Sequence, residues 1–285
     1  MTTSTSIIPE ALWAQQVPLH ITHPDHPNTP FVTSLPRFSY LPLLLPRLNA
    51  FFGRGRHSSS PAVHLSSFHY RDDESSTGPS TAGSDDVLLR NLPLGLLVDL
   101  YRPSLPWRLT VRDGPGWDVA DTFLNAAKEA DFARYGSARR IMSLSQPDTA
   151  ALWHAVRDND RRAFARVNAL LLDAPTPLRA VPLRLYIPSA PGPSSPHRSA
   201  PETHPNPPSS SPPPLSAEPG TFKQQRRLGS VLRSLLPALF PSSRDPVLAN
   251  VLLHGVPAPF SAPIEDLMRE AAYPDGWLCL TVVVL

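Results

Sequence analysis

The chain has 285 residues, 26 of them basic and 24 acidic, with 37 prolines and a single cysteine. Near-neutral charge excludes a protein dominated by phosphate neutralisation, and one cysteine excludes a disulfide framework or a cysteine-rich zinc module. The proline density assigns part of the chain to linkers, and with no apolar run of ~18 residues and no basic, apolar leader, a soluble, intracellular, multidomain protein is expected.

In chain order, residues 18–22 (PLHIT) and 30–35 (PFVTSL) read as short strands joined by a proline-rich turn. Residues 39–52 (SYLPLLLPRLNAFF) predict an apolar helix with Pro42 near its start and a kink at Pro46. Residues 53–67 and 71–86, rich in Ser, Gly and Asp, read as disordered insertions on either side of a short strand at Phe68, His69 and Tyr70. VLLRNL (87–92) predicts a strand, Pro93 opens a short helix, and Trp107 to Val111 predict the next strand.

From 117 to 173 the pattern is helical. Asp118 is an N-cap candidate for the helix through Tyr135, and Pro147 and Asp148 open a second helix. Asp158, Asn159 and Asp160 mark a turn before a third helix, which places Phe164, Val167, Leu170 and Leu171 at core spacing.

The last block repeats the first. VPLRLYI (181–187) predicts a strand, with TFKQQRR (221–227) as its partner across a disordered insertion at 188–220 that holds twelve prolines and eight serines. LGSVLRSLLPALF (228–240) predicts a helix, NVLLHG and VPAPF short extended pieces, Pro263 the start of a helix, and WLCLTVVVL (277–285) a closing strand. Strand, strand, helix, strand, strand is the β-grasp order of ubiquitin-like domains, so the fold class is α+β with a duplicated β-grasp around a helix-rich block.

All basic residues but Lys128 and Lys223 are arginine. A guanidinium stays charged and inert, whereas a lysine amine becomes a nucleophile once deprotonated, so lysine chemistry has two places to occur. At 100° per residue, Val119, Phe123, Ala126, Ala127 and Ala130 share the packing face of their helix, and Lys128 points away from it. Leu124 and Phe132, four residues on either side, flank it on the exposed face. That pattern fits a docking patch around an amine or a solvated lysine with apolar neighbours.

Cys279 sits mid-strand without a basic neighbour and reads as a small buried hydrophobe rather than a nucleophile. His20, His23 and His26 have neither cysteine neighbours nor a helix to align their rings, so a metal site is the weaker reading. Walker loops, nucleophile elbows and dinucleotide fingerprints are absent, and no active site or cofactor is expected. Arg139, Arg140, Arg161 and Arg162 belong to a local basic excess that suits either an anionic membrane surface or an ordinary solvated face. Gly53 to Arg56 (GRGR) is a weak RNA signal, and no nucleic-acid partner is assigned.

The segments LWAQQVPLHITHPDHPNTPFVTSLPRFSYLPLLLPRL, LPLGLLVDLYRPSLPWRLTV, NAAKEADFARYGSARRIMSLS and LLHGVPAPFSAPIEDLMREAAYPDGWLCL resemble the fungal autophagy protein 5 family. The resemblance implies a short N-terminal helix in residues 1–16, a first ubiquitin-like domain at 17–113, a helix-rich domain at 114–174 and a second ubiquitin-like domain at 175–285. In that family, one lysine in a Lys-Glu-Ala-Asp motif forms an isopeptide bond with the C-terminal glycine of the ubiquitin-like autophagy protein 12. Here the motif is Lys128 to Asp131, so the resemblance implies Lys128 as the acceptor, with Leu124, Phe132 and Asp131 as candidate docking surface. It further implies conjugating enzymes of that pathway and non-covalent assembly with the coiled-coil autophagy protein 16. The assembly would act as a ligase-like complex, without catalytic residues in this subunit, promoting transfer of autophagy protein 8 to phosphatidylethanolamine. Autophagosome formation, cytoplasm-to-vacuole transport and a peripheral place on the preautophagosomal membrane follow as expectations. The other readings are an unmodified adaptor and an enzyme built on Cys279.

Overall fold

The structure, a computed structural model, describes residues 7–53, 65–70, 87–89, 92–113, 118–172, 178–187, 202–203 and 226–285. Alternating apolar residues build the first sheet. In β1 (Gln16–His23), Val17, Leu19, Ile21 and His23 point into the core, as a two-residue period requires. β1 pairs antiparallel with β2 (His26–Pro36), matching Val17 to Leu35 and Ile21 to Phe31. It pairs in parallel with β5 (Trp107–Asp113), matching Leu19 to Trp107. β3 (Leu65–Tyr70) and β4 (Val87–Leu88) complete the order β2-β1-β5-β3-β4. Pro27, Pro30 and Pro36 are compatible with β2 because it is an edge strand, where missing donors break no central ladder.

The apolar run after β2 is not one kinked helix. It forms a 3-10 turn at Leu41–Leu44 followed by α2 (Leu45–Phe52), with Pro46 in the first helical turn, where a missing N–H leaves no bond unmade. α3 (Leu94–Tyr101) starts directly after Pro93. Of the predicted strand at 87–92, Val87–Leu88 form β4 and residues 90–91 lie outside the described residues, and β3 begins at Leu65, inside the stretch read as an insertion. Residues 54–64 and 71–86 of the predicted insertions lie outside the described residues, Arg54 and Arg56 among them.

The second sheet repeats the first. β6 (Leu183–Ile187), β7 (Glu202–Thr203), β8 (Ala249–Leu253), β9 (Val256–Pro257) and β10 (Leu278–Val284) run in the order β7-β6-β10-β8-β9. β6 and β10 form the central parallel pair, with Leu278 opposite Leu183 and Leu280 opposite Leu185. β7, which lies within the segment 188–220, pairs with β6 at Tyr186 and Ile187, while of the predicted partner TFKQQRR only Arg226 and Arg227 are described. Residues 221–225 and the rest of that segment lie outside the described residues. Arg227 instead bridges Pro263 at the mouth of α9 (Ile264–Ala271). α8 (Leu228–Leu235) is shorter than the predicted 228–240. β8 and β9 join through His254 and Gly255, both with positive φ (54° and 82°), the backbone that a tight two-residue hairpin needs.

Between the sheets lie α4 (Val119–Tyr135), a one-turn α5 (Arg139–Met142), α6 (Gln146–Arg157) and α7 (Arg161–Leu172). Asp118 caps α4 by accepting from the Asp121 N–H at 3.1 Å, and Gly136 closes it with φ 73°. Val167 and Leu171 of α7 are buried and Phe164 packs on Trp13, but Leu170 is 54% exposed, because it lies about 100° round the helix from Leu171. The N-terminal helix α1 (Ile7–Ala14) sends Leu12 and Trp13 into the core. The first sheet has a core of its own, around Leu19, Trp107 and Leu94. The helices and the second sheet share another, into which Phe38, Tyr40, Leu96 and Leu100 of the first domain also reach.

Candidate modification site

α4 presents Lys128 as its wheel predicts. Val119, Phe123, Ala127 and Ala130 are buried, and Lys128 is exposed on the other side, its Nζ donating to Asn125 Oδ1 at 3.3 Å. Among the described residues no carboxylate forms an ion pair with it. Phe132 is 60% exposed, while Leu124 is half-buried and packs partly against the shared core. An exposed amine flanked by apolar surface is therefore what this turn of α4 offers.

The opposite flank of the turn rests on the second domain. Trp277 Nε1 donates to the Ala126 carbonyl at 2.9 Å, and Arg134 Nη2 donates to the Gly276 carbonyl at 2.7 Å. Arg184 of β6 pairs with Glu129 at 2.6 Å and lies over the Trp277 ring, 4.0 Å from its centroid. Gly276 has φ 88°, and a Cβ there would come within 3.1 Å of the Ala130 Cβ, so the close approach of α4 depends on glycine. Asp275 accepts from the Trp277 N–H at 3.1 Å, and burial pushes its carboxyl up, with Arg184 opposing the shift.

Asp131 does not contribute to the docking surface. It is fully buried, and Oδ2 accepts from the Ile141 N–H at 3.2 Å, because α5 folds back over that side of α4. Burial raises its carboxyl, and the Ile141 hydrogen bond opposes this. Of the arginines, Arg139 and Arg162 are exposed, Arg140 lies 4.0 Å over the Tyr135 ring, and Arg161 pairs with Glu10 at 2.7 Å. Arg161 thus ties α7 to α1. Cys279 is buried, and burial pushes its thiol well up, the opposite of what a nucleophile needs. His23 and His26 pack around the Phe52 ring, and no group of three His, Cys, Asp or Glu side chains among the described residues is arranged to hold a metal. No helix among them is long and apolar enough to cross a membrane. Lys223 lies outside the described residues.

Two further features joining the domains left no signal in the sequence. Arg37 and Asp99 of the first domain form a buried ion pair, and Arg37 Nε donates to His254 Nδ1 of the second at 3.4 Å. Arginine only donates, so His254 Nδ1 accepts and its Nε2–H donates to the Ala271 carbonyl at 2.8 Å. Burial lowers the His254 pKa to about 4, and the Arg37 charge adds to the shift. Separately, a cleft of about 250 Å³ opens between α1, α7 and α9, lined by Trp13, Phe164, Ala169, Leu172, Met268 and Tyr273 among others.

Comparison with known proteins agrees with this architecture. Family profiles described as autophagy protein ATG5 match residues 12–113 (UblA domain), 118–174 (alpha-helical bundle region) and 180–282 (UblB domain). An autophagy-related protein 5 of Gibberella zeae is 54% identical over 282 residues, covering 99% of this chain and 100% of the relative. One of Neurospora crassa is 55% identical over 295 residues, covering 98% of this chain and 72% of the relative. The crystal structure of Kluyveromyces marxianus Atg5 superposes with a TM-score of 0.66 at 20% identity, covering 97% of this chain and 99% of that one, which speaks to the fold. Two ubiquitin-like domains flank a helical bundle in the order those profiles describe, and the chain belongs to the autophagy protein 5 family.

Proposed function

We propose that this chain is the acceptor subunit of an autophagy conjugate, joined through Lys128 to the C-terminal glycine of autophagy protein 12. The observation that supports this most is the exposed Lys128 amine beside Phe132, in the family's Lys-Glu-Ala-Asp motif, in a chain with only one other lysine. The neutral amine attacks the thioester carbonyl on the conjugating enzyme, the C–N bond forms, and the C–S bond breaks. One proton passes from nitrogen, through solvent, to the departing thiolate. Leu124 and Phe132 are the apolar surface on which the incoming proteins dock. Apart from the Lys128 amine, which is consumed as the acceptor, no side chain of this subunit is assigned to the bond-making step, so it acts as a substrate and scaffold and not as an enzyme.

The conjugate then assembles with autophagy protein 16 and promotes transfer of autophagy protein 8 to phosphatidylethanolamine. We assign that partner to the cleft between α1, α7 and α9, and a peripheral position at the preautophagosomal membrane to the assembly, with the exposed Arg139 and Arg162 as the arginines that meet the lipid. Ala169→Arg, which puts a charged chain into the cleft, should abolish co-purification with autophagy protein 16 and leave conjugation intact. Equal co-purification would remove the cleft from the account. For the membrane assignment, Arg139→Glu combined with Arg162→Glu should release the conjugate from vesicles containing anionic lipid, and undiminished flotation would refute it.

The test of the acceptor is reconstitution of wild type, Lys128→Arg and Lys223→Arg with autophagy protein 12, its activating and conjugating enzymes and ATP. The expected result is a slower band on a denaturing gel, lost only in Lys128→Arg. A band retained in Lys128→Arg would move the acceptor elsewhere, and no band from any chain alongside a working control substrate would favour an unmodified adaptor.

A further inference from the structure

The residues that bracket Lys128 on its helix are the ones tied to the second ubiquitin-like domain. Ala126 receives the Trp277 indole N–H at 2.9 Å, and Glu129 receives Arg184 at 2.6 Å. Arg184 and Trp277 are themselves joined, the guanidinium resting 4.0 Å from the ring centroid. A planar cation stacked on an aromatic face loses little further freedom when it also meets a carboxylate, so the three side chains form one preordered strut. β6 and β10 pair in parallel, with Cys279 opposite Arg184, so Arg184 grows from the centre of a sheet, and Trp277 stands directly before the first residue of β10.

We propose that Arg184 and Trp277 are positioning residues for modification of Lys128. Through Glu129 and the Ala126 carbonyl they hold the turn carrying the amine against the second domain. The docked conjugating enzyme therefore meets an amine at a fixed place relative to both domains. The proposal rests on the reading of Lys128 as the acceptor. It adds that the second domain, which does not itself carry the amine, sets the geometry of attack. Misplacing a nucleophile by about 1 Å costs up to about 100-fold in rate, so a strut that fixes the turn acts on turnover more than on encounter.

The experiment is single-turnover transfer from a preformed thioester of autophagy protein 12 on its conjugating enzyme, with the concentration of the full chain varied. The chains are wild type, Arg184→Glu, Glu129→Arg, the double exchange Glu129→Arg with Arg184→Glu, Trp277→Phe and Lys128→Arg. Each single exchange should lower the saturating rate about ten-fold while changing the half-saturating concentration less than about two-fold. The double exchange, which restores the ion pair with reversed sign, should recover most of the rate. Trp277→Phe keeps the ring under Arg184 but removes the indole donor, and should fall between. Single exchanges that transfer at the wild-type rate, or a double exchange as slow as either single, would overturn the proposal. Transfer to Lys128→Arg would overturn the acceptor assignment instead, and is read in the same experiment. Melting temperatures measured alongside separate loss of the strut from loss of the fold, and rescue in the double exchange is a result that a merely destabilised chain does not give.

Discussion

Acidification from pH 7.5 to 5 should weaken this fold by about 2 kcal/mol through His254 alone. The imidazole is buried between the two ubiquitin-like domains, facing Arg37 on one side and the Ala271 carbonyl on the other, with Tyr273 and Phe38 packed on its ring. Arg37, itself paired with Asp99, is a donor only and would leave a protonated Nδ1–H without an acceptor. Burial lowers its pKa from 6.5 to about 4. Between those values the unfolded chain takes up a proton that the folded chain refuses. The stability is therefore complete above about pH 6.5, falls by about 1.4 kcal/mol per pH unit below it, and levels off near pH 4 after a total of about 3 kcal/mol. The assay is urea denaturation of wild type and His254→Asn, followed by tryptophan fluorescence at several pH values from 7.5 to 5. Asparagine tolerates the positive φ, and an Asn-Gly pair suits the hairpin, so the turn survives the exchange. Carboxylates and other histidines contribute to both curves and cancel in the difference. Wild type should lose about 2 kcal/mol more than the variant over this interval. Parallel curves would refute the reasoning and mean that His254 titrates normally in the folded chain.

Gly276→Ala should destabilise the chain by about 2–4 kcal/mol in thermal denaturation, combining the cost of a left-handed non-glycine residue with overpacking against Ala130 and Arg134. A loss under about 0.5 kcal/mol would mean that α4 does not sit closely on this turn. Asp131→Ala should cost about 1–3 kcal/mol by leaving the Ile141 N–H unpaired, with conjugation per folded molecule unchanged. Loss of conjugation at unchanged stability would return Asp131 to the docking surface.

The duplicated β-grasp was legible because it is written in local terms: two-residue alternation in β1, a proline at the start of α3 and α9, and an apolar strand closing each block. The exposure of Lys128 was legible because one helix with a clear apolar face decides it. Asp131 was misread because its surroundings come from α5, a single turn that lacks a capping side chain and so gives no sequence signal. The pairing of β6 with Glu202–Thr203 was not legible because two residues of strand inside a proline-rich segment carry no alternation at all. Arg134, Arg37 and Asp99 read as surface charges by residue type, and only tertiary contacts make them buried. The strut beside Lys128 was equally invisible, since Glu129 and Arg184 become neighbours only when the helical bundle meets the second sheet.

The most direct test of the account is mass spectrometry of the purified conjugate after proteolysis, reading which amine carries the branch. One branched peptide is expected, with the C-terminal glycine of autophagy protein 12 on the Nζ of Lys128. A branch on Lys223 or on the terminal amine, with Lys128 unmodified, would contradict it.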